Sequence, residues 1–118
     1  RTRQIPDASA DAHIQRIVME APFPPVKLTA VIITLNGERL FGRCLDSLAF
    51  CNRILVVDSF SSDATQAIAE AHGAMFVQNP WPGNAGQIRF GVNWLTEHAP
   101  TEWVLFLDCD EICSPELA

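Results

Sequence analysis

The chain predicts an α/β domain built on a mostly parallel sheet, and three observations carry that prediction. Short apolar runs rich in β-branched residues recur along it: LTAVIITL (28–35), ILVV (54–57), AMFVQ (74–78) and WVLFL (103–107). These runs are apolar at successive positions rather than alternate ones, the pattern of strands covered on both faces. Between them lie segments with helical periodicity or helix-favouring composition. Strands alternating with helices of this length imply right-handed crossovers and helices on both faces of the sheet.

Taken in order, residues 1–26 read as an extension or linker. Ile14, Ile17, Val18 and Ala21 fall at helical spacing, which predicts a short amphipathic helix ended by Pro22, Pro24 and Pro25. A second region, 27–118, then begins. After the first strand, Leu40, Phe41, Cys44, Leu45 and Leu48 form a helical stripe leading to the second strand. DATQAIAEAH (63–72) is helix-prone and stops at Gly73, a natural residue just past a helix end, before the third strand. NPWPGNAG (79–86) is a loop by its proline and glycine content, residues 87–98 are helical, and WVLFL is the fourth strand. The order βαβαβ, loop, αβ is Rossmann-like, preceded by a short helical extension. Trp94 and Trp103 are expected in the core.

Bulk properties narrow the classes. At 118 residues, 48% hydrophobic and 19% charged, the chain is ordinary globular material rather than a disordered tract. Its net charge of −6 is unevenly placed: residues 1–89 hold eight basic and eight acidic side chains, whereas 90–118 hold six acidic and none basic. That argues against nucleic acid as a partner and for a cation near the C-terminal end. Cys44, Cys51, Cys109 and Cys113 form no CxxC pair, so reduced thiols and a cytoplasmic protein are expected rather than a zinc site. The longest apolar runs fall short of the roughly 18 residues a membrane span needs.

The chemistry concentrates where strands end. LFLDCDE (105–111) drives an apolar strand into three acids within four positions. In extended chain, Asp108 and Asp110 would point to one side, and two unit charges about 6 Å apart repel by roughly 3 kcal/mol at an effective dielectric of 20. A hard divalent ion, Mg²⁺ or Mn²⁺, relieves that repulsion through oxygen ligands, with substrate phosphates filling other positions. Asp58 ends the second strand in DSFSSD, where a carboxylate can accept from a ribose hydroxyl or a base N–H, while Asp63 is placed to cap the next helix. Neither GxGxxG nor a P-loop is present, so a bound diphosphate would depend on the metal.

The ordered set LTAVIITLNGERLFGRCLDSL, ILVVDSFSSDAT and TEWVLFLDCDE, spanning about residues 27–118, resembles the donor-binding half of family 2 glycosyltransferases, inverting enzymes of the GT-A fold. The likeness is to the type that builds bacterial lipopolysaccharide core and envelope polysaccharide. It implies that Thr34, Leu35, Asn36 and Glu38 line a base and ribose pocket, with Glu38 and Asp58 as polar anchors. Asp108 and Asp110 become the DxD, Asp110 the more direct metal ligand, Glu111 follows in support, and Arg89 stands near the donor diphosphate. A UDP-sugar donor, a lipid-linked or polysaccharide acceptor and peripheral attachment at the inner face of the cytoplasmic membrane are further implications. Two positions depart from the pattern: Gly37 stands where an acid or other polar residue is common, and Phe60 replaces a small residue, often glycine.

The resemblance also implies a catalytic base downstream of DxD, so none is expected within residues 1–118, and the chain reads as a fragment that binds donor but transfers little. Two rivals stand beside it. LFLDCDEI fits the opening of a haloacid-dehalogenase phosphatase, with Asp108 as nucleophile and Asp110 as general acid. A non-catalytic module that only docks on a partner is the other.

Overall fold

A computed structural model describes the backbone of residues 2–6, 15–19 and 23–110, and the side chains of 23–110. Four strands form one sheet: β3 (Val26–Thr34), β4 (Arg53–Asp58), β5 (Met75–Gln78) and β6 (Thr101–Asp108). Their order is β5-β4-β3-β6, and every neighbouring pair is parallel. Helices α1 (Glu38–Asp46), α2 (Thr65–Ala71) and α3 (Asn84–His98) make the crossovers. The α/β expectation therefore holds, and each predicted strand of the sheet lies within about two residues of the observed one.

The sheet has two apolar faces because its strands are apolar at successive positions. On one face Ala30, Ile32, Val56 and Leu107 pack with Phe41, Cys44 and Leu45 of α1 and Ala69 of α2. On the other, Val31, Leu55 and Val57 meet Leu95 of α3. Cys44 is wholly buried among these side chains, as the apolar stripe predicted. Gly91 sets how closely α3 approaches: a Cβ there would stand 3.1 Å from Val31 Cγ1 and 3.3 Å from Val57 Cγ2. Gly73 follows α2 with φ +74, the left-handed turn that glycine enters without steric cost.

The N-terminal segment corrects one expectation. Instead of a helix, Thr2–Pro6 (β1) and Gln15–Met19 (β2) pair as an antiparallel two-stranded ladder, with Thr2 opposite Met19 and Pro6 opposite Gln15. Ile17 and Val18 are β-branched residues that suit a strand as well as a helix once a partner strand exists, and that partner lies a dozen residues away. Ile14 and Ala21 lie outside the described residues. Trp103 is a second correction: it is 65% exposed, near the amino end of β6, which among the described residues has a strand neighbour only on the β3 side. Trp94 is half-buried and stacks on His98 with ring centroids 4.5 Å apart. Among the described residues no helix is long and apolar enough to cross a membrane.

Candidate functional site

The sheet order creates a crevice by itself. The chain steps from β3 to β4 to β5 in one direction and then returns to place β6 on the other side of β3. The loops leaving β3 and β6 consequently diverge at the carboxyl edge, the position where ligands enter open parallel sheets. A cavity of about 410 Å³ opens there, lined by Ile33, Leu35, Asn36, Gly37, Arg39, Leu40, Asp108, Cys109 and Asp110. Asp108 is in register with Ile33 at the last rung of the ladder, and residues 109–110 turn away from it. The two carboxylates thus reach one cavity through a turn, not through two successive extended positions.

Gly37 and Cys109 explain each other. A Cβ on Gly37 would lie 2.5 Å from Cys109 Sγ, so the middle residue of DCD occupies the space a side chain at 37 would need. Burial, helped by the Asp110 charge, pushes the Cys109 thiol up and keeps it protonated. Cys44 donates from Sγ to the Asp108 carbonyl at 3.7 Å, which ties α1 to the end of β6.

Beside the cavity, the loops after β3 and β4 are joined rung by rung. Thr34 Oγ1 donates to Asp58 Oδ1 at 2.7 Å, and Ser59 N donates to the Thr34 carbonyl at 3.0 Å. Asn36 N donates to Ser61 Oγ at 2.7 Å, while Asn36 Oδ1 accepts from Ser62 N at 2.8 Å. Glu38 N donates to Asp63 Oδ2 at 3.1 Å, and Glu38 Oε2 accepts from Ala64 N at 3.2 Å, so the first turns of α1 and α2 satisfy each other's open amides. Gly37 N donates to Thr65 Oγ1 at 3.2 Å. Asp63 anchors the start of α2 through Oδ1, which accepts from Thr65 N at 2.9 Å.

Asp58 lies under this lattice, fully buried. It accepts from Thr34 Oγ1, from both the amide and the hydroxyl of Ser61, and from Gln78 Nε2 at 3.2 Å. Those four donors match the lone-pair positions of a carboxylate. Burial pushes its pKa up, but hydrogen bonds from Ser61, Thr34 and Gln78 outweigh that and hold it below the ordinary carboxylate value. Gln87, which no motif singles out, extends the lattice to α3. It is fully buried, accepts from Asn79 Nδ2 at 2.8 Å and donates to Ser59 Oγ at 3.0 Å.

The expected site residues therefore divide. Leu35, Asn36, Asp108 and Asp110 share the cavity wall. Thr34, Glu38 and Asp58 belong to the hydrogen-bonded lattice beside and beneath it. Arg89 is exposed on α3 and is not among the lining residues; α3 packs on the sheet face opposite α1. The basic side chain on the wall is Arg39, in the first turn of α1, which a reading focused on the acidic motifs passed over. Its signal was available: Arg39 follows directly on the strand-end loop, two residues before the buried Phe41. Glu111 lies outside the described residues. Among the described residues, no three His, Cys, Asp or Glu side chains gather as a metal cage. Two carboxylates on one wall are nonetheless an all-oxygen donor set of the kind Mg²⁺ takes when phosphate oxygens complete its shell.

Comparison with known proteins meets this geometry with a family. The model described as Glycosyl transferase family 2 matches residues 29–118. The chain belongs to glycosyl transferase family 2. That membership decides against the phosphatase reading of LFLDCDEI. The family 2 chain is 37% identical over 93 residues to the lipopolysaccharide core biosynthesis glycosyltransferase LpsC of Rhizobium meliloti (strain 1021), covering 75% of this chain and 33% of that protein. An uncharacterized glycosyltransferase of Rickettsia conorii is 40% identical over 92 residues, covering 77% of this chain and 31% of that one. The chain thus spans about a third of the length of these relatives. Among solved structures, glucosyl-3-phosphoglycerate synthase from Mycobacterium tuberculosis with Mg²⁺ and UDP matches with a TM-score of 0.60 and 26% identity, over 73% of this chain and 34% of that one. Its complex with Mn²⁺, UDP and glucosyl-3-phosphoglycerate gives 0.58 and 25%, over 70% and 33%.

Proposed function

We propose that the chain is the donor-binding portion of a metal-dependent, inverting glycosyltransferase that moves a sugar from a UDP-sugar to a lipopolysaccharide or polysaccharide acceptor. The observation that carries this reading is the cavity at the switch point between β3 and β6, where Asp108 and Asp110 share a wall with Arg39 in a chain of this family. The synthase structures with UDP and either Mn²⁺ or Mg²⁺ support a divalent ion and a uridine nucleotide, and the similarity to LpsC supports the acceptor class.

In this proposal Asp110, with Asp108, holds the divalent cation, which when bound supplies positive charge to the departing diphosphate. Arg39 faces the same phosphates from α1, the role that the family resemblance implied for Arg89. Asn36 and Leu35 meet the nucleoside, while Thr34, Glu38 and Asp58 act from behind them by fixing the loops. The division into an extension at 1–26 and a nucleotide-sugar unit at 27–118, a cytoplasmic location and peripheral attachment to the inner membrane face are parts of the same proposal.

Calorimetry of the chain with UDP and Mn²⁺ tests it. Saturable heat is expected for the native sequence and loss of most of it for Asp110→Ala. Equal binding by the variant would remove the carboxylate pair from the donor site.

A further inference from the structure

The loop after β4 carries an aromatic residue in a backbone conformation that does not suit it. Phe60 has φ +63, in the left-handed region that glycine enters freely and a bulky L-residue avoids. Its side chain is 56% exposed, so burial does not offset the strain. The neighbours impose the arch: Ser59 N donates to the Thr34 carbonyl at 3.0 Å, and Ser61 N donates to Asp58 Oδ2 at 2.7 Å. A strained, exposed aromatic on a strand-end loop is a position where function is the more economical explanation.

Its surroundings say which function. Residue 34 is bonded to 59, and Asn36 N donates to Ser61 Oγ at 2.7 Å, so these rungs bracket Leu35 on one loop and Phe60 on the other. The two occupy opposed positions on adjoining strand-end loops. Leu35 is 54% exposed and lines the cavity that holds Asp108, Asp110 and Arg39. The cavity's Asp108, Asp110 and Arg39 suit a metal-bound phosphate, and Leu35 gives the same wall an apolar side chain. Phe60 is not one of the lining residues but stands on the adjoining loop opposite Leu35, exposed, where an aromatic ring suits contact with a flat, weakly polar ring.

We propose that Phe60 determines specificity in the donor site by stacking on the nucleobase of the bound nucleotide, with Leu35 as the apolar contact beside it. The inference rests on the donor-site reading above. It concerns this chain's own departure, since the resembling family often carries glycine at this position, for which the same φ is free of strain.

The test compares the chain with its Phe60→Gly and Phe60→Tyr variants, titrated with UDP plus Mn²⁺ and with pyrophosphate plus Mn²⁺, a probe that lacks the base. Glycine fits the backbone, so the variant is expected to fold with a raised melting temperature. UDP affinity should fall about five- to hundredfold in Phe60→Gly, stay near native in Phe60→Tyr, and pyrophosphate affinity should not change in either. Native-like UDP affinity in Phe60→Gly overturns the stacking role and leaves the donor reading standing. Equal weakening toward UDP and pyrophosphate also overturns it, because the loop rather than the base contact would then be responsible. A native chain that binds no UDP removes the donor reading, and this inference with it.

Discussion

At the scale of single residues, the close approach of Gly37 to Cys109 accounts for a departure that the family resemblance alone left unexplained. A Cβ at 37 would sit 2.5 Å from the Cys109 sulfur but 3.2 Å from its Cβ, so the sulfur is the main obstacle. Gly37→Ala is expected to destabilise the chain by about 1–3 kcal/mol, the usual cost of overfilling a packed site. In the background of Cys109→Ala most of that loss should vanish, and a double-mutant cycle measured by urea denaturation reads the coupling directly. Phe60→Gly should act in the opposite sense, raising stability by about 1 kcal/mol in the same assay as the left-handed arch is relieved. Asp108 and Asp110 were legible as a pair because acids that end an apolar strand stand out in a sequence. Arg39 was not, since a lone arginine in the first turn of a helix resembles any solvated position until the sheet order brings that turn beside β6.

At the scale of elements, the linked loops after β3 and β4 are the main result. Surface loops ordinarily exchange their amide hydrogens quickly. Here the amides of Asn36, Gly37, Glu38, Ser61, Ser62, Ala64 and Thr65 all donate to side-chain oxygens within the loop pair. Hydrogen–deuterium exchange should find them protected well beyond the Trp81–Gly83 stretch, whose residues 81–82 are exposed. Asn36→Ala removes the acceptor for Ser62 N, and faster exchange there and at neighbouring positions is the expected result. Little of this lattice was readable in advance. The bonds that cross between the two loops span 24 to 28 residues, and a local window cannot tell an Asp58 that accepts four hydrogen bonds from one that faces a ligand. The strands were readable, because burial on both faces writes itself as unbroken apolar runs. The ladder of β1 and β2 was not: QRIVM satisfies a helical spacing locally, and only the pairing with Thr2–Pro6 makes it a strand.

For the whole molecule, the depressed pKa of Asp58 links stability to pH with a definite sign. The native state holds this carboxyl below its ordinary value, so the unfolded chain binds the proton more readily. The stabilisation is fully present above the unfolded carboxylate value of about 3.9 and is lost as pH falls through the lower native value. Denaturant midpoints should stay level from neutral pH to about 5 and decline below about 4. Asp58→Asn should lower the plateau by about 1–3 kcal/mol, through loss of charge-assisted bonds, and soften the acid decline. The overall α/β plan and the carboxyl-edge location of the site followed from strand order and punctuation. Which residues face the crevice and which support it depended on the register of β3 with β4 and β6. A wall bolted together in this manner settles its conformational entropy when the chain folds. A guest entering the crevice would then freeze few backbone torsions of the host, and the heat-capacity change on capture should reflect the covered area of the guest rather than loop ordering.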